Sequence, residues 1–137
     1  MDENGGKRRL RVAVIDDSEE LRVLALSAFS DSGMDVLVSE RETIELEQVV
    51  RWVPDVLLVD PQGMADAERR PFAVALAMRE DPRLAEVPVV LLSAPWTLWQ
   101  HESEVQLLRP IVTLSKPVSV PELVEAVRLA AGKGGLT

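Results

Sequence analysis

The sequence predicts a doubly wound α/β domain in which five parallel strands alternate with five helices. Three observations predict it. Short apolar runs recur along the 137 residues, and each is followed by a segment whose apolar positions repeat at helical period. The run Val56 to Val59 is apolar at every position, as expected of a parallel strand covered on both faces. Apolar residues make up 47% of the chain and charged residues 28%, a composition that supports one domain with a real core.

The elements follow in order. The first strand is Arg11 to Ile15, and a helix starts after Ser18, a residue suited to an N-cap. Its apolar face is Leu21, Leu24, Ala25, Ala28 and Phe29. It stops near Ser32, and Gly33 suits the left-handed cap position. "MDVLVSE" supplies the second strand. "TIELEQVVRWV" places Ile44, Leu46, Val49, Val50 and Val53 on a helix that Pro54 closes. "PDVLLVD" is the third strand, followed by the loop "PQGMADAERR" and a helix from about Pro71 with Phe72, Leu76 and Met78 inside. "DPRLAEVP" connects to the fourth strand, "VPVVLLSAP". "TLWQHESEVQLL" is a helix with Leu98, Val105 and Leu108 on one face. "IVTL" is the fifth strand and leads into Ser115, Lys116 and Pro117. Ser119 and Glu122 have capping-box spacing, and "PELVEAVRLAA" is a final helix ended by Gly132.

Composition excludes several functions. The net charge of −8 argues against nucleic acid and anionic membranes as partners, because phosphate binding needs clustered cations. The one basic cluster, Lys7, Arg8, Arg9 and Arg11, reads as a solubilising flank. The absence of cysteine rules out disulfides, thiolate zinc sites and cysteine nucleophiles. The single histidine, His101, rules against a histidine metal centre and reads as a bystander. No stretch reaches the ~18 apolar residues of a membrane span, so the expected compartment is the cytoplasm. Trp96 and Trp99 fit either helix packing or a partner surface.

In doubly wound sheets the ligand site lies at the carboxyl ends of the strands. Here strand one ends in Asp16 and Asp17, strand three in Asp60 and strand four in Ser93, while Lys116 follows strand five. Converging carboxylates repel one another unless a cation neutralises them. An oxygen-only ligand set suits Mg²⁺, which keeps several waters and accepts a phosphate oxygen. Lys116 adds a fixed positive charge and Ser93 a hydroxyl. Together these groups can neutralise a transferring phosphoryl group, leaving one carboxylate as nucleophile.

In this order, "VAVIDDS", "PDVLLVD", "VVLLSA" and "LSKP" resemble the receiver domain of bacterial two-component response regulators. The resemblance covers residues 10–132, leaving 1–9 as a flexible basic flank and 133–137 as a frayed tail or the start of a linker. It implies a flavodoxin-like sheet of strand order 2-1-3-4-5. It implies that Asp60 accepts a phosphoryl group from a histidine kinase or phosphotransfer protein and shares Mg²⁺ with the acidic pair, Asp17 more directly and Asp16 partly through water. The backbone carbonyl of Gln62 completes the protein's share of coordination. By the same resemblance Ser93 and Lys116 would contact the phosphoryl oxygens, Ser93 and Thr113 would hold the switch positions, and Pro117 would follow a cis peptide bond. Such a domain is a signalling phosphoacceptor that promotes its own phosphorylation and dephosphorylation, not a classical enzyme. It acts through protein contacts, with a homodimer left open. No output segment follows Gly132, so a stand-alone receiver and one domain of a longer chain are both compatible.

Three departures bear on the switch. The family usually carries a proline four residues after the phosphoacceptor and a glycine about eight after it; here those positions hold Met64 and Glu68, while Pro61 and Gly63 come earlier. Thr113 stands where the family generally has an aromatic ring. Arg109 and Pro110 replace a small pair before the fifth strand. A constitutive interaction module of the same fold is therefore the alternative. A phosphohydrolase is disfavoured because Gln62 stands where its second aspartate belongs, and a flavin protein because the phosphate-binding loop is missing.

Overall fold

A computed structural model describes residues 9–16, 19–38, 46–60, 76–93, 110–115 and 117–135, with the side chains of 16, 19, 21, 46, 60, 93 and 133–135 excepted. The strands are β1 (Arg11–Asp16), β2 (Asp35–Val38), β3 (Val56–Asp60), β4 (Val89–Ser93) and β5 (Ile111–Ser115). The helices among the described residues are α1 (Glu19–Asp31), α2 (Leu46–Trp52), α3 (76–80) and α4 (Val120–Gly135). The helix expected over "TLWQHESEVQLL" lies outside the described residues, as do the caps at Ser18 and Pro71.

All strands pair in parallel, in the order β2-β1-β3-β4-β5. The expected sheet is thus present. Parallel crossovers are right-handed, so reversing the direction of travel across the sheet moves the connecting helix to the other face. The step from β1 to β2 goes one way, and those from β2 to β3 and from β3 to β4 go the other. Accordingly α1 packs on one face and α2 and α3 on the opposite one. The two cores show this division. Val12, Val14, Val56, Leu58, Val90 and Leu92 meet Ala25, Ala28 and Phe29 of α1 and Leu123 and Val127 of α4. Ala13, Ile15, Leu57, Val59, Val89 and Leu91 meet Val49 and Val50 of α2 and Met78 of α3. Alternation along each strand deals its residues between the cores, which is why Val12–Ile15, Val56–Val59 and Val89–Leu92 are apolar at every position.

The cap of α1 is fully formed. Gly33 has φ 83°, the Met34 N–H reaches Phe29 O at 2.9 Å, and the Gly33 N–H reaches Ser30 O at 3.0 Å. Met34 and Phe29 are both buried, adding the hydrophobic contact that accompanies this cap. At the start of α4 the Ser119 N–H donates to Glu122 Oε1 (2.8 Å) and the Glu122 N–H donates to Ser119 Oγ (3.2 Å). These bonds hold the Glu122 carboxyl below its usual pKa.

Three expectations need correction. Leu24 is 44% exposed, outside the core face assigned to it. The small Ala25 and Ala28 face the sheet beside Phe29 and allow close approach, which turns Leu24 to the flank. Val53 is 56% exposed and does not extend α2; it takes φ 58°, a left-handed cap that glycine usually fills. Its N–H still reaches Val49 O at 3.1 Å, and the following Pro54 prevents the helix from continuing. Finally, α4 does not end at Gly132 but runs to Gly135, because nothing there forbids helical dihedrals and Ala130 and Ala131 favour them.

The amino end of the sheet is laced by side chains. Arg79 donates from Nη1 to Leu84 O (3.2 Å) and Ala85 O (2.9 Å), and from Nη2 to Pro110 O (3.4 Å), tying the connector before β4 to the entry of β5. Burial lowers the Arg79 pKa. Arg83 grips Asp81 through Nε (3.0 Å) and Nη2 (2.7 Å) and reaches Glu47 of α2 at 3.3 Å. Of the basic cluster, Arg9 donates to Asp35 Oδ1 (2.9 Å) and Met34 O (3.3 Å), and Arg11 stacks on Trp52 at 4.5 Å from the ring centre.

Candidate functional site at the carboxyl ends of the strands

β1 pairs with β2 on one side and β3 on the other, so it is where the strand order reverses. The next described helix after β1, α1, and the next after β3, α3, pack on opposite faces of the sheet. In open sheets of this kind the crevice forms at the carboxyl edge where the strand order reverses, here between β1 and β3. Its two walls end in Asp16 and Asp60, which are Cα partners in the register of the parallel pair. Parallel neighbours lie ~4.8 Å apart, so two carboxylate-bearing positions sit side by side at the mouth of the crevice.

β4 and β5 extend the same edge. Val59 is registered with Leu91, so Ser93 stands one residue further out than Asp60 on the adjacent strand. Ser93 in turn is the Cα partner of Ser115, the residue before Lys116. The fold therefore brings Asp16, Asp60, Ser93 and Ser115 to one edge, in the lateral order that the sheet dictates. Asp17, Gln62 and Lys116 lie outside the described residues, as do Met64, Glu68, Trp96, Trp99, His101 and Arg109. Among the described residues no group of three or more His, Cys, Asp or Glu is placed to hold a metal ion.

Thr113 is exposed on β5, opposite Leu91. Pro117 is exposed between β5 and α4; the peptide bond before it involves Lys116 and falls outside the described residues. The sequence reading missed the pairing of Ser115 with Ser93. A serine directly before Lys116, one strand from another strand-end serine, was the available signal.

No protein-family model matches the sequence, and no curated protein matches it significantly. Solved structures do match. A putative response regulator from Chloroflexus aurantiacus is similar with a TM-score of 0.73 at 18% identity, over 91% of this chain and 99% of that one. The chemotaxis protein CheY4 of Vibrio cholerae gives 0.74 at 19% identity, over 90% and 99%. The chain has the receiver-domain fold. A sensor protein from Polaromonas shares this fold too, with a TM-score of 0.71 at 20% identity over 93% of this chain and 100% of that one. Asp16 and Asp60 are the acidic positions that β1 and β3 bring to the carboxyl edge of this fold. No helix among the described residues is long and apolar enough to cross a membrane.

Proposed function

We propose that this chain is a phosphoacceptor receiver, taking a phosphoryl group onto Asp60 from a histidine kinase or phosphotransfer protein and signalling through protein contacts in the cytoplasm. The observation that carries the proposal is the registered pair Asp16 and Asp60 at the switch-point crevice. Two adjacent carboxylate positions, with Asp17 next in sequence, form an oxygen donor set that fits Mg²⁺. Asp16, Asp17, Asp60 and the backbone carbonyl of Gln62 would hold the ion, which when bound supplies charge neutralisation to the phosphoryl oxygens. In the transfer, a carboxylate oxygen of Asp60 attacks phosphorus as the P–N bond to the donor imidazole breaks, and the nitrogen keeps the bonding pair. Ser93 donates a hydrogen bond to one phosphoryl oxygen and Lys116 sets a point charge beside another. Hydrolysis reverses the state: water attacks phosphorus, the acyl P–O bond breaks, and inorganic phosphate leaves.

The test is intact-mass analysis after incubation with acetyl phosphate and Mg²⁺. Wild type should gain one phosphoryl group, and Asp60→Asn should gain none. Equal labelling of both proteins would refute Asp60 as acceptor. A second reading, a constitutive interaction module, is favoured by Thr113: it is already exposed on β5 and has no ring to bury. Phosphorylation of Asp60 without any change in amide hydrogen exchange around β4 and β5 would select that reading.

A further inference from the structure

β5 is an edge strand whose two faces differ in kind. Val112 and Leu114 pack against the core that holds α1 and α4, while Thr113 and Ser115 are exposed. In the parallel register Thr113 stands opposite Leu91, and Ser115 opposite Ser93. Leu91 belongs to the core beneath α2 and α3, and alternation puts positions 91, 93, 113 and 115 on that one face. Position 93 therefore has an exposed hydroxyl residue as its neighbour on β5, one strand spacing (~4.8 Å) away. On its other side lies β3, where Asp60 stands one residue less far out. The order across the edge is carboxylate, hydroxyl, hydroxyl.

A hydroxyl carries one proton and two lone pairs. On the phosphoacceptor reading, on which this inference rests, Ser93 gives its proton to a phosphoryl oxygen and keeps its lone pairs for other donors. We propose that Ser115 is a positioning residue for the transfer: its hydroxyl donates to Ser93 Oγ across the β4–β5 pair and so turns the Ser93 proton toward Asp60. Successive hydrogen bonds polarise one another, so the donated bond also makes Ser93 a stronger donor to the phosphoryl group. Ser115 touches neither phosphorus nor metal and acts only through Ser93.

Initial rates of Asp60 phosphorylation by acetyl phosphate and Mg²⁺, followed by intact mass, test this. The proteins compared are wild type, Ser115→Ala, Ser115→Thr, Ser93→Ala and the double alanine variant. Ser115→Ala should slow the reaction about two- to fivefold, the size of one cross-strand hydroxyl bond, or ~0.4–1 kcal/mol at ~1.4 kcal/mol per factor of ten. Ser115→Thr keeps the hydroxyl on a residue suited to a strand and should recover most of the rate. With Ser93 already alanine, removing Ser115 should slow the reaction no further, an outcome that loosened packing alone does not produce. Full rate in Ser115→Ala, equal slowing by threonine and alanine, or the same slowing with and without Ser93 would each overturn the proposal. In those three cases wild type still labels on Asp60, so the phosphoacceptor reading stands. No labelling of wild type overturns that reading, and the role of Ser115 falls with it.

Discussion

Replacing Asp16 with asparagine should make the metal-free protein more stable, although it removes a residue from the site. Asp16 and Asp60 are registered partners on adjacent parallel strands, and such partners are ~4.8 Å apart. Two unit charges at that distance repel by about 0.9 kcal/mol in bulk water and by about 3.5 kcal/mol at an effective dielectric of 20. The carboxyl edge of a sheet lies nearer the solvent limit, so Asp16→Asn should add ~1–2 kcal/mol at neutral pH. For a chain of this size that is a rise in melting temperature of roughly 3–10 °C. Mg²⁺ should reverse the ranking of gains. A ligand that binds only the folded state stabilises it in proportion to RT ln(1 + [L]/Kd), and on the proposed reading the variant should bind the ion less tightly. Urea unfolding of both proteins, with a chelator and with saturating Mg²⁺, measures all four values. A variant no more stable than wild type in chelator would refute the repulsion, and equal Mg²⁺ increments would remove Asp16 from the metal site.

Two further outcomes test the scaffold. Hydrogen bonds from Arg83 and its charge depress the Asp81 pKa from 3.8 to about 2. A carboxylate depressed in the folded state contributes stability that is fully present above its unfolded pKa and is lost as pH falls through the folded one. The Asp81–Arg83 contribution should therefore fade between pH 4 and 2, and Arg83→Met should return the NMR titration midpoint of Asp81 toward 3.8. Ser119→Ala deletes the hydroxyl that accepts the Glu122 N–H and should cost ~1 kcal/mol by chemical denaturation; an unchanged midpoint would show that water replaces the cap at no cost.

Much of this fold was legible because its signals are redundant. Uninterrupted apolar runs at Val12–Ile15, Val56–Val59 and Val89–Leu92 require cover on both faces, and parallel pairing with crossover helices follows from that alone. Gly33 and the Ser119–Glu122 pair marked helix ends because their chemistry is local: a positive φ and two reciprocal hydrogen bonds within four residues. Leu24 and Val53 were misread because periodicity states which residues are apolar, not which of them the sheet has room for. On α1, Val23, Leu24 and Leu26 are all exposed and apolar, so the pattern offered several faces and only packing chose among them. The clamps of Arg79, Arg83 and Arg9 were illegible for a different reason. Each joins positions whose proximity exists only after the sheet has formed, such as Arg79 with Pro110 and Arg83 with Glu47.

The place of the candidate site was legible for a topological reason. Reversal of the strand order beside β1 follows from the winding, and it places the ends of β1 and β3 at a crevice whatever residues they carry. Aspartates at both ends repel one another there unless a cation neutralises them. At the amino end the charged residues serve the scaffold, capping connectors and tying loops together. At the carboxyl end Asp16 and Asp60 stand as Cα partners on adjacent strands. That registered pair of acidic positions is the feature on which the proposed phosphoryl-transfer site rests.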